Sequence, residues 1–168
     1  MRGTGHTWGA AAPADAALCD RRSPEPPVAR RGRWVDDGGV RDRRVLVVED
    51  NEDIRSLLDA VLGLSGYEVV LAEDGREALR LLVDVQLAPD LAILDVEMPE
   101  LSGWEVLRSI RDNASTADLP VIVCSVNGSD VDLDRSRALG CDGYLQKPFD
   151  IDELVAEVDD VIERATGA

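Results

Sequence analysis

The 168-residue chain has a single histidine, His6, and it lies outside every regular apolar pattern. A folded body without histidine excludes a Ser-His-Asp triad, a histidine metal cluster and a histidine phosphodonor. Cysteine is nearly as scarce. Cys19, Cys124 and Cys141 are odd in number and form no C-x-x-C pair, which argues against a disulfide framework and a zinc site and suits a reducing, cytoplasmic location. Cys124 reads as a small buried hydrophobe and Cys141 as an unreactive loop residue. No apolar run approaches the roughly 18 residues that a membrane span needs, and AAAPADAAL is too short and interrupted for a signal-peptide core. Positive charge is sparse beyond the first 44 residues. Those carry nine Arg against six Asp or Glu, a net of +3, while the remainder holds nine Lys or Arg against 28 acids, a net of −19 within the total of −16. So acidic a body repels phosphate backbones and anionic lipid, so neither nucleic acid nor a membrane surface is an expected partner.

Residues 1–43 read as a disordered N-terminal tail and residues 44–168 as one domain. The tail is Gly, Pro, Ala and Arg without aliphatic periodicity, and PEPP at 24–27 cannot enter a helix interior. A start codon upstream of a complete domain would also account for it; Trp8 and Trp34 have no physical explanation there. From residue 44 short aliphatic runs alternate with stretches of helical period. The runs are 45–48, 68–72, 91–95, 120–124 and 143–146. The first, third and fourth are apolar on both faces, as inner strands of a parallel sheet are. The intervening stretches carry apolar residues at helical spacing: Ile54, Leu57, Leu58, Val61 and Leu62, stopped by Gly66; then Ala78, Leu81, Leu82 and Val85; then Val106, Leu107 and Ile110. Residues 130–139 give the weakest pattern. Ile151, Leu154, Val155, Val158, Val161 and Ile162 give the clearest, with Asp150 as cap and Glu153 three residues on. Five strands alternating with five helices predict an α/β, doubly wound parallel sheet covered on both faces.

Ligands of such sheets sit beyond the carboxyl ends of the strands. The first strand ends in Glu49-Asp50, the third in Asp95, the fourth runs into Ser125 and the fifth into Lys147-Pro148. Three carboxylates in one place raise at least one pKa unless a cation neutralises them. An all-oxygen donor set selects magnesium, with manganese as the alternative, over zinc or copper. Asp95, placed after LAIL where burial alone has no use for an acid, can then act as a nucleophile toward a phosphoryl group. Lys147 and Ser125 would hold the phosphoryl oxygens, and a cis Lys147-Pro148 bond would aim the lysine inward. Each residue also has a plainer reading: Glu49 and Asp50 as helix caps, Ser125 as a turn hydroxyl, Lys147 as a solvated lysine.

From about Arg43 to Arg164 the sequence resembles the receiver domain of bacterial response regulators, of the single-domain, chemotaxis-regulator-like type. VLVVEDNEDIR resembles the acidic-pair segment, LAILDVEMPELSGWEVL the phosphoacceptor segment, PVIVCS the switch-hydroxyl strand and ALGCDGYLQKPF the lysine-proline segment, with matching separations. The resemblance implies a flavodoxin-like five-stranded sheet ordered 2-1-3-4-5. It implies that Asp95 accepts a phosphoryl group from a histidine kinase or histidine phosphotransfer protein. Magnesium would be bound by Asp50, Asp95 and the backbone carbonyl of Glu97, with Glu49 acting through water, and Ser125 and Tyr144 would form the switch pair. The chain ends soon after the last helix, so a stand-alone regulator that signals by a phosphorylation-dependent protein contact, around the fourth helix, fifth strand and fifth helix, is expected.

Two positions depart from the family's pattern. Val126 stands where Ala or Gly is usual; it either narrows the approach to Asp95 or packs on the fourth helix. Glu97 adds an acid beside the phosphoryl position and is expected to alter its loss. The alternatives to a phosphoacceptor, which is not itself an enzyme, are an unphosphorylated interaction module of the same fold and an aspartyl-phosphate hydrolase. The hydrolase commonly needs a second Asp two residues past the nucleophile, where this chain has Glu97.

Overall fold

The computed structural model describes residues 43–167; the tail reading, and with it Cys19, Trp8 and Trp34, falls outside them apart from Arg43. Five strands, β1 (Arg44–Val48), β2 (Glu68–Ala72), β3 (Leu91–Asp95), β4 (Val121–Ser125) and β5 (Gly143–Gln146), form one sheet. All neighbours pair in parallel in the order β2-β1-β3-β4-β5. The order reverses between β1 and β3, so the chain winds outward in both directions from that seam. The predicted strand spans hold to within one residue, β4 being shifted to include Ser125 and leave out Pro120, which has no N–H for the ladder.

The helices are α1 (Glu52–Leu64), α2 (Gly75–Leu79), α3 (Gly103–Asp112), α4 (Asp130–Ala138) and α5 (Ile151–Thr166). Alternate strand residues face opposite sides of a pleated sheet, and two apolar clusters result. Val45, Val47, Ile93, Ile122 and Leu145 pack with Leu58 and Leu62 of α1 and Leu154, Val158 and Ile162 of α5. Leu46, Val48, Leu94, Val121 and Val123 pack with Ala78, Leu82 and the α3 residues Val106, Leu107 and Ile110. α4 joins this second side with the Arg135 guanidinium 5.2 Å from the Trp104 ring centre. The inner strands read as unbroken apolar runs because both sides are covered.

Local chemistry sets the helix ends. Asn51 caps α1, its side chain accepting from the amides of Asp53 and Ile54, and Gly66, with φ 98, takes the left-handed turn that stops it. Ser102 opens α3, its amide and hydroxyl both donating to the Glu105 carboxylate, at 2.9 and 2.7 Å; those bonds hold the Glu105 carboxyl below its usual range. Two expectations need correction. Asp150 stands at the N-cap of α5 but its side chain makes no capping hydrogen bond. The α2 pattern does not continue as α-helix: residues Arg80–Asp84 form a π turn. Its wider winding keeps Leu82 in the core and leaves Val85 55% exposed.

Candidate functional site

Glu49 and Asp50 follow β1, Asp95 ends β3, Ser125 ends β4, and Lys147 follows β5, so the parallel sheet delivers all of them to one edge. Glu49, Asp95 and Ser125 are 3%, 4% and 0% exposed, whereas Asp50 and Glu97 lie at the surface. Carboxylate oxygens of Glu49, Asp50 and Asp95 lie within 4.8 Å of one another. The Lys147 ammonium bridges two of them, 2.9 Å from Glu49 Oε2 and 3.1 Å from Asp95 Oδ1. The Lys147-Pro148 bond is cis.

Burial is the largest influence on Glu49 and raises its pKa; the Asp95 charge adds to this, and the Lys147 bond opposes it. Crowding of acids thus contributes as expected, but behind burial. For Lys147 burial is again the largest single effect and pulls downward, yet the bonds and charges of Glu49 and Asp95 together outweigh it and the pKa rises. The ammonium stays charged where it stands.

The plainer readings can be judged against these contacts. Neither Glu49 nor Asp50 caps α1, since Asn51 does. Lys147 is not solvated: its side chain is 17% exposed. Ser125 does accept a turn bond from the Asn127 amide at 3.1 Å, but its hydroxyl donates to Glu97 Oε1 at 2.9 Å. Val126 is 55% exposed instead of packed beneath α4. Tyr144 is half-buried beside the second apolar cluster, and its hydroxyl donates to the carbonyl of Asn127; burial raises its pKa. Cys124 is buried, with its thiol pushed up by burial, and Cys141 is held at about 11 for the same reason.

Two contributors were missed from sequence. Arg55 of α1 donates to the carbonyls of Glu49 and Asp50 at 2.7 and 3.2 Å, fixing the turn that carries both acids. Gly103 lets α3 start against the backbone of Asp95, where any Cβ would lie 2.2 Å from the carbonyl oxygen. The Glu97 carboxylate turns toward Ser125, while its amide donates to Asp95 Oδ1 at 3.2 Å. One signal was available and unused: Lys147 is the chain's only lysine. The donor set suits a hard divalent ion, with three carboxylates against one ammonium and neither sulfur nor imidazole ligating.

An acidic trio, two members of which a lysine bridges, stands at the switch edge of a 2-1-3-4-5 sheet, and residues 45–159 match the response regulator receiver domain. The chain belongs to that family. Its receiver domain is similar to response regulator MprA of Mycolicibacterium vanbaalenii, 41% identical over 73% of this chain and 52% of that protein. Transcriptional regulatory protein PrrA of Mycobacterium tuberculosis is 43% identical over 76% of this chain and 53% of that protein. The chain thus spans about half the length of the curated relatives it matches. Among solved structures the receiver domain superposes on chemotaxis protein CheY4 of Vibrio cholerae with a TM-score of 0.68 at 31% identity, covering 72% of this chain and 99% of that one.

Proposed function

We propose that this chain is the phosphoacceptor receiver of a two-component phosphorelay, cytoplasmic, loaded on Asp95 by a histidine kinase or a histidine phosphotransfer protein. The observation that carries this reading is the Lys147 ammonium held between two buried acids, Glu49 and Asp95. An Asp95 carboxylate oxygen attacks the phosphorus of a phosphohistidine. A P–O bond forms as the P–N bond breaks, and the imidazole nitrogen keeps the electron pair. Lys147, already at Asp95, takes one phosphoryl oxygen as charge spreads over the group, and Ser125 offers its hydroxyl to another. Magnesium, or manganese in its place, would be held by Asp50, Asp95 and the Glu97 carbonyl, with Glu49 acting through water, and would neutralise the acids and the transferring oxygens. The chain's own chemistry is then confined to gaining and losing its phosphoryl group. Its output is a protein contact on α4, β5 and α5, around Tyr144.

A second reading has one observation in its favour: a relative about twice as long is named a transcriptional regulatory protein, which supports an output in transcription. The acidic body argues that contact with nucleic acid, if any, is made elsewhere than on this domain. Incubation with phosphoramidate and magnesium should add one phosphoryl group, read by intact-mass spectrometry, and Asp95→Asn should abolish it. Labelling of Asp95→Asn at the wild-type rate would overturn the assignment. Pull-downs with phosphorylated and unphosphorylated protein would then separate a protein target from a transcription complex.

A further inference from the structure

Ser125 lies at the centre of a chain of hydrogen bonds that the transfer chemistry does not require. Its hydroxyl donates to Glu97 Oε1 at 2.9 Å, and the Val126 amide points at the same oxygen from 3.4 Å. The Asn127 amide donates to Ser125 Oγ at 3.1 Å, and the Tyr144 hydroxyl donates to the Asn127 carbonyl. Glu97, Ser125, Asn127 and Tyr144 are thus connected in series. A serine hydroxyl has one proton to give. While Glu97 accepts it, a phosphoryl oxygen on Asp95 cannot.

We propose that the Glu97 carboxylate is a resident stand-in for the phosphoryl group at the switch hydroxyl, a positioning residue that must be expelled before Ser125 can engage phosphorylated Asp95. The proposal rests on the phosphoacceptor reading above. Two features make the exchange workable. Ser125 is fully buried, so its hydroxyl must have a partner in either state, and Glu97 supplies one at rest. Glu97 itself is exposed, so its carboxylate can turn into water without a burial cost, and repulsion from a phosphoryl group on Asp95 favours that exit. When Glu97 leaves, the Val126 amide loses its acceptor, and the Asn127 segment, with the Tyr144 hydroxyl bonded to it, is released to follow Ser125 toward the phosphoryl group. Glu97 therefore sets a threshold: it lowers the gain from engaging a phosphoryl group and holds Tyr144 in its resting bond until that gain is made.

The test uses beryllofluoride, a phosphoryl analogue, titrated in magnesium onto the full chain and followed by amide resonances of Val126 and Asn127. Glu97→Ala should bind it about tenfold more tightly, the size expected for removal of one competing charge-assisted hydrogen bond. Glu97→Gln keeps an oxygen acceptor and should show a smaller gain. Before ligand is added, the Val126 amide resonance should already have moved in Glu97→Ala. In a Ser125→Ala background the effect of Glu97→Ala should largely vanish. An equal gain in both backgrounds would mean bare charge repulsion and overturn the latch. Wild-type binding with no gain in Glu97→Ala would do the same while leaving the phosphoacceptor reading intact. Failure of the wild type to bind beryllofluoride at all would overturn both.

Discussion

Gly103 determines how closely α3 approaches Asp95. Its missing Cβ would stand 2.2 Å from the Asp95 carbonyl oxygen and 2.9 Å from the carbonyl carbon, both backbone atoms that cannot turn aside. Gly103→Ala should therefore cost about 1–3 kcal/mol of stability, the usual range for overpacking, and slow phosphoramidate labelling of Asp95. Wild-type urea midpoint and wild-type labelling together would refute this. Glu49 makes a prediction of a different kind. Its native pKa is raised above the ordinary 4.5, so the folded chain keeps this proton to higher pH than the unfolded chain does. Protonation of this group favours folding, and that contribution is lost as pH rises from 4.5 through the higher native value. Against Glu49→Gln, which cannot titrate, wild-type stability in magnesium-free buffer should decline as pH rises above 4.5, read from urea midpoints at fixed ionic strength. A constant difference across that range would contradict it. Most single site residues were legible because an acid, a hydroxyl or a lysine at a strand end has no apolar partner to explain it. Arg55 and Gly103 were not, because each acts on backbone atoms, and nothing in side-chain pattern reveals where a carbonyl points.

Strands were more legible than helices because a buried parallel strand is an apolar run with sharp ends. Helix faces are blurred by positions such as Leu57, Val85 and Ile151, which continue the apolar spacing yet lie 53%, 55% and 51% exposed. The π turn after α2 left no trace in the sequence, since Ala78, Leu81 and Leu82 suit either winding. Nor did the tie at the opposite end of the sheet from the site. Arg111 at the end of α3 donates to the carbonyls of Ala117, Leu119 and Gly140 and pairs with Asp142, whose carboxylate in turn accepts from the Val121 amide. One planar guanidinium thereby joins α3 to the starts of β4 and β5. Lysine offers a point charge and cannot reach all of these acceptors. Arg111→Lys is expected to lose about 2 kcal/mol, in line with stranding partly buried carbonyls, with phosphoramidate labelling unchanged at saturating donor. A wild-type denaturation midpoint would show that water replaces the guanidinium without loss.

Over the whole domain, the sheet divides the apolar interior into two sides that share strands but not side chains, and protection from solvent is uneven between its parts. β1, β3 and β4 are covered on both faces and paired on both edges. α4 buries only Ser136, and β5 has a single strand neighbour. Local opening free energies follow buried contacts, so amide exchange should be slowest across Leu91–Asp95 and faster across Asp130–Ala138 by orders of magnitude; equal protection in a hydrogen-exchange experiment would contradict this. Because so little of α4 is committed to the interior, it can shift or partly unwind while the sheet that holds Asp95 and Lys147 keeps its register. On the proposed function, the chemistry would stand on slowly exchanging ground and the message would leave through a segment that opens more often, so a downstream protein would read the phosphorylated state as a change in how long α4 stays folded as well as in where it sits.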